Sequence, residues 1–146
     1  MCKIHIIEKE EYIKNCISDL DYDITISNKL VEPSDPDVCI INMSLKENNI
    51  VNFISEYINE DTVVIVIADD KDNSSITELI YSGVYWVLDK DLNPDQIRAY
   101  LWRAIKISSG VRLLKKAGTL SEEVRDRMRK SLSELDNISR VSEMIA

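Results

Sequence analysis

Thr62-Val63-Val64-Ile65-Val66-Ile67 decides the fold. Every residue in it is β-branched, and such side chains favour extended backbone. No polar residue alternates with the apolar ones after Thr62, so both faces are buried. A strand of that kind sits in the middle of a parallel sheet. Working outward, Val38-Cys39-Ile40-Ile41 is a second buried strand, and Lys3-Ile4-His5-Ile6-Ile7 is another at the start of the chain. Asp23-Ile24-Thr25-Ile26-Ser27 alternates, and Val84 to Leu88 closes the set. Between these runs the apolar residues change to helical spacing. Ile13, Ile17 and Leu20 form one stripe, and Ile50, Phe53, Ile54, Tyr57 and Ile58 a second. Ile76, Leu79 and Ile80 mark a third helix, ended near Gly83. Asn93 reads as an N-cap with Pro94 at the first helical position, ahead of Ile97, Leu101, Ala104 and Ile105. Strands alternating with helices predict an α/β fold: a flavodoxin-like, doubly wound, five-stranded parallel sheet. In such sheets sites form at the carboxyl ends of the strands. The segments to inspect are therefore Glu8 to Glu10, Asn42 to Ser44, Ala68 to Asp70 and Asp89 to Asp91.

Composition narrows the function. The 146 residues carry a formal charge of −8, which disfavours bulk attraction to nucleic acid or anionic lipid. The charge is uneven: residues 1–110 are strongly acidic and residues 111–146 slightly basic. That change divides a globular domain, 1–110, from a C-terminal helical extension, 111–146. Cys2, Cys16 and Cys39 read as reduced thiols, and His5 is the only histidine, so neither a zinc site nor a histidine-based catalytic triad is expected. His5 reads as a packed strand residue. Asp69, Asp70 and Asp72 read as a solvated acidic loop. No apolar run is long enough to span a membrane, and the N-terminus lacks a signal-peptide layout, so a cytoplasmic protein is expected. A flavin site is disfavoured, because Glu8-Lys9-Glu10-Glu11 would repel a phosphate after the first strand. No cofactor and no catalytic residue are expected.

The chain resembles the receiver (CheY-like) domain of two-component response regulators over roughly residues 2–108. Ile4-His5-Ile6-Ile7-Glu8-Lys9-Glu10 is similar to the family's first strand and acidic pair. Pro36-Asp37-Val38-Cys39-Ile40-Ile41-Asn42-Met43 matches the strand that ends in the phosphoacceptor aspartate. Val64 to Ala68 matches the strand ending in Thr-Ala, and Gly83 to Lys90 the strand ending in the invariant lysine. Leu92-Asn93-Pro94-Asp95-Gln96-Ile97 matches the start of the last helix. The resemblance implies a pocket in which one carboxylate attacks phosphorus, others hold Mg²⁺, and a lysine neutralises the phosphoryl oxygens. A hydroxyl and an aromatic residue would then relay the change. The matching residues here are Glu8, Lys9, Asn42, Ile67, Val87 and Lys90. Asn42 is an amide and no competent nucleophile. Lys9 stands where a metal-binding carboxylate belongs, Ile67 lacks the hydroxyl and Val87 the ring. A pseudo-receiver with a degenerate pocket and no Mg²⁺ is expected, in which Lys90 pairs structurally with Glu8 and Asn42.

Only Asn28 to Asp35 separate the second strand from Pro36. The resemblance implies a helix there, which is expected to be shortened or missing. One side of the sheet would then be under-covered at Ile24, Ile26 and Ile40 unless a partner or the C-terminal segment shields it. Tyr81, Tyr85, Trp86, Tyr100 and Trp102 are expected to build an interaction face, because the resemblance implies a partner and dimer surface there and aromatics are enriched at interfaces. Val124, Met128, Leu132, Leu135, Ile138, Val141 and Ile145 recur at helical spacing and read as a helix interface for dimerisation or signalling. The basic run Arg125, Arg127, Arg129 and Lys130 reads as a solvated helix face. The reading is a phosphorylation-independent signalling module, dimeric, binding itself or a signalling protein. The alternative is the N-terminal regulatory domain of a larger transcriptional or signalling regulator.

Overall fold

A computed structural model describes residues 2–116, 126–127 and 129–133. The chain divides into two compact units, 1–108 and 109–146. In the first, β1 (Lys3–Glu8), α1 (Tyr12–Ile17), β2 (Asp23–Ser27), β3 (Val38–Asn42), α2 (Ile50–Tyr57), β4 (Val63–Ile67), α3 (Asn73–Tyr81) and β5 (Val84–Leu88) follow in order. Helix α4 follows and runs Pro94–Lys116. The strands form one parallel sheet in the order β2-β1-β3-β4-β5. β4 is buried at every position, as its uninterrupted β-branched run requires. This is the flavodoxin-like, CheY-like fold the sequence predicts.

The sheet separates two cores. Ile4, Ile6, Val38, Ile40, Ile65 and Trp86 pack with α1 and α4 through Ile13, Ile17, Ile97 and Leu101. Ile7, Cys39, Ile41, Val64 and Val66 pack with α2 and α3 through Ile50, Phe53, Ile54 and Leu79. α4 starts where the sequence placed it. Gln96 N donates to Asn93 Oδ1 at 2.9 Å, and Asn93 N donates to Gln96 Oε1 at 3.0 Å, a reciprocal cap that satisfies two otherwise orphaned donors.

Residues 28–37 contain no helix. The segment is pinned instead by hydrogen bonds to residues distant in sequence. Lys3 N donates to Asp37 Oδ2 at 2.7 Å, Thr62 Oγ1 to the Pro36 carbonyl at 2.8 Å, and Asn59 Nδ2 to Asp35 Oδ1 at 2.8 Å. Asp35 sits at φ 51°, in the left-handed region. The expected bare patch does not arise. Ile24 and Ile26 pair with Ile4 and Ile6 and pack on the α1/α4 side, and Ile40 is buried. The side left without a helix receives Thr25, Ser27 and His5, and Leu30 packs into its core. The alternation of β2 therefore puts its polar residues where cover is thin. The helix marked by Ile76, Leu79 and Ile80 is α3; Leu79 is its buried residue, and Ile80 is 57 % exposed. Among the described residues no helix is long and apolar enough to cross a membrane.

Candidate functional site

The carboxyl ends of β1, β3, β4 and β5 meet along one edge. Register sets Glu8 beside Asn42, Asn42 beside Ile67, and Ile67 beside Leu88. Glu8 is 2 % exposed, and a carboxylate that deep must be compensated. Three donors do so. Ile13 N and Lys14 N donate to Oε2 and Oε1 at 3.1 Å each, and Asn42 Nδ2 donates to Oε2 at 3.2 Å. Ile13 and Lys14 lie in the first turn of α1, whose N-cap residue Glu11 makes no side-chain cap bond. Glu8 thus caps α1 from the strand before it and places negative charge at the positive end of the helix.

Asn42 completes the set because an amide can donate where a carboxylate cannot. Two carboxylates at these positions would need a cation between them; Glu8 and Asn42 do not. The Asn42 Oδ1 is buried and meets no donor among the described residues. Lys9 is exposed and pairs with Glu47 at 3.6 Å. Lys90 is exposed and takes no part in the Glu8–Asn42 set, contrary to the sequence expectation. Its lysine position follows β5, but the neighbouring donors already satisfy Glu8. Lys9, Asn42, Ile67 and Lys90 instead share the lining of one cavity of about 410 Å³, together with Tyr12 and Ile97. Ile67 is buried, so its side chain offers that cavity only an apolar wall. Val87 is half-buried and packs against the α2/α3 core. Among the described residues no cluster of His, Cys, Asp and Glu has a metal-holding arrangement.

In the acidic loop after β4, Asp69 and Asp72 are exposed and Asp70 is half-buried. Asp70 accepts from Ser44 Oγ at 2.6 Å, Lys46 N at 2.9 Å and Leu45 N at 3.0 Å. The Ser44 hydroxyl, followed by those two amides, holds its carboxyl well below the usual carboxylate range. Asp72 caps α3 by accepting from Ser75 N at 2.7 Å. Lys71 pairs with Asp89 after β5, and Tyr12 OH donates to the Leu92 carbonyl at 2.7 Å. Both Asp70 and Ser44 fall in segments that the carboxyl-edge rule selects. What pairs them is the β3–β4 register, which no local pattern encodes.

The aromatic face is smaller than expected. Trp86 is 2 % exposed and belongs to the core, because its place in β5 points it to the α1/α4 side. Tyr100 stands edge-on to it at 5.5 Å, and Tyr85 is tilted against it at 6.0 Å; both are half-buried. Tyr81 is 88 % exposed and Trp102 56 %, with the Lys106 ammonium 4.7 Å above the Trp102 ring. In the second unit, Leu132 is helical and half-buried. Val124, Met128, Leu135, Ile138 and Val141 lie outside the described residues.

No protein-family model matches the chain, and no curated protein does. Solved structures do. The CheY-like receiver domain protein of Methanospirillum hungatei JF-1 superposes with a TM-score of 0.68 at 10 % identity, over 75 % of this chain and 98 % of that one. The beryllofluoride-activated NtrC4 receiver domain dimer gives 0.63 at 18 % identity, over 74 % and 99 %. The chemotaxis response regulator CheY4 of Vibrio cholerae gives 0.60 at 14 % identity, over 71 % and 98 %. The chain is similar to these proteins in fold, and that fold is the one of response-regulator receiver domains.

Proposed function

We propose that this chain is a receiver-fold interaction module that works by binding, without phosphoryl transfer. The observation that supports it most is the bond from Asn42 Nδ2 to Glu8. The residue at the end of β3 donates to the acid at the end of β1, and that acid also caps α1. Glu8 already accepts three hydrogen bonds, two of them from the start of α1, so a metal at its carboxylate would compete with the helix cap, and Asn42 has no nucleophilic oxygen to offer phosphorus. Ile67 and Val87 supply neither hydroxyl nor ring to relay a phosphoryl signal. Recognition falls instead to exposed apolar groups on α3 and α4, Tyr81 and Trp102, with a second copy of the chain as one partner.

Amide NMR spectra with Mg²⁺ and beryllofluoride test this. The expected result is no saturable shift at Asn42 or Lys90. A rise in protein concentration is expected to move signals near Tyr81 and Trp102. Saturable shifts at Asn42 and Lys90 overturn the phosphorylation-independent reading.

A further inference from the structure

We propose that Asp70 is a permanent latch: its carboxylate ties the β4–α3 loop to the β3–α2 loop and so fixes the pose of α3, including its exposed Ile80–Tyr81 end, with no phosphoryl group required. The inference rests on the reading above and says how a receiver fold without phosphoryl chemistry keeps a defined binding surface.

Both carboxylate oxygens are engaged. Oδ1 takes the Leu45 amide, and Oδ2 takes the Ser44 hydroxyl and the Lys46 amide. Charge-assisted bonds of this kind are stronger than neutral ones, and two of the donors are backbone, which has few conformations to lose. Three consecutive residues then hold three different parts of the molecule. Asp70 holds the loop after β3, Lys71 holds Asp89 after β5, and Asp72 holds the first turn of α3. α3 needs such an anchor, because Leu79 is its only buried side chain. A helix so thinly packed opens easily unless its end is fixed. The ring of ties continues through Lys9–Glu47 and Tyr12–Leu92, so the loops at the carboxyl edge are linked to one another all round. Those last two contacts are exposed and weaker; the Asp70 set is the strong member. The lowered proton affinity of Asp70 keeps the latch charged further into the acid range than an ordinary carboxylate.

Native-state hydrogen exchange on the full chain tests the latch, comparing the unaltered protein with Asp70→Asn and Ser44→Ala. Asp70→Asn is expected to speed exchange at least tenfold at Leu45 and Lys46 and also along Ile76 to Tyr81, while β1 and β3 stay unchanged. Ser44→Ala removes one donor and is expected to move the same amides in the same order by less. Faster exchange confined to Leu45 and Lys46 overturns the inference. So does an α3 that already exchanges freely in the unaltered protein. If Asp70→Asn does not fold, Ser44→Ala decides: no change along α3 rejects the latch. The Mg²⁺ and beryllofluoride titration of the unaltered protein is read separately. A response there rejects phosphorylation independence, whereas an unlatched α3 without that response rejects the latch alone.

Discussion

β1 buries one polar side chain on each face, and the two are satisfied in different ways. Glu8 points to the α1 side, where the start of a helix offers two backbone amides and Asn42 a third donor. His5 belongs to the other side, where the chain carries an irregular segment instead of a helix. It is 4 % exposed, and the partner of its Nε2 is Ser27 Oγ on the neighbouring strand, at 2.9 Å. A helix terminus supplies surplus donors and can hold a charge. An irregular cover supplies none to spare, so the residue beneath it must be one that can be neutral. The placement of Glu8 and His5 on these two faces follows that rule.

Breaking the first arrangement has the largest effect. Glu8→Ala leaves two backbone amides and the Asn42 amide facing an empty space. Losing a buried acceptor of this kind costs about 3 kcal/mol. That is a large share of the stability of a typical domain. The urea midpoint is expected to fall at unchanged m-value. Glu8→Gln is expected to recover little, since its own NH₂ group faces donors.

The second arrangement responds to pH. Burial lowers the pKa of His5 below its ordinary value. Well above pH 7, folded and unfolded chains both hold it neutral. As the pH falls through about 6.5 the unfolded chain takes up a proton that the folded chain resists, so stability falls. His5 is the only histidine. The difference between the unaltered protein and His5→Gln, followed by urea midpoint from pH 7.5 to 5.5, therefore isolates it. The unaltered protein is expected to lose stability relative to the variant as pH falls. Parallel curves would show that the Ser27 bond follows the ring in either protonation state.

What was legible in the sequence was what is local. The five strands announce themselves by β-branched runs, and the start of α4 by Asn93, Pro94 and Gln96, whose cap bonds join residues only three apart, within one turn of backbone. The absent helix was legible from the eight residues available for it. What was not legible is which face of the sheet a given parity serves. Ile24 and Ile26 read as apolar in either case, and Trp86 reads like its neighbours Tyr81 and Trp102 until its strand position assigns it to the core. The candidate pocket residues were found by resemblance, but their bonding was not. Lys90 was expected to meet Glu8, and α1 had already taken it. The bonding of Asp70 was not legible because its three donors lie 24 to 26 residues away in sequence and arrive only through β3–β4 pairing.

The smallest effect sharpens the comparison most. Lys9 and Glu8 are adjacent, yet one is exposed and the other buried. On the reading proposed above, two features would disfavour a divalent cation at this edge: the ammonium of Lys9 and the hydrogen bonds that Glu8 already accepts. The Lys9–Glu47 pair is exposed on both sides, so Lys9→Asp is expected to cost only about 0.5 kcal/mol. The variant also supplies the carboxylate that the resemblance expects beside Glu8. If the charge of Lys9 were the barrier, Mg²⁺ would now raise the urea midpoint of the variant saturably and leave the unaltered protein where it was. The geometry predicts no such rise. Mg²⁺ demands a near-octahedral set of oxygens, and those of Glu8 are turned to Ile13, Lys14 and Asn42. Recruiting them would uncap α1, which no single substitution at position 9 relieves.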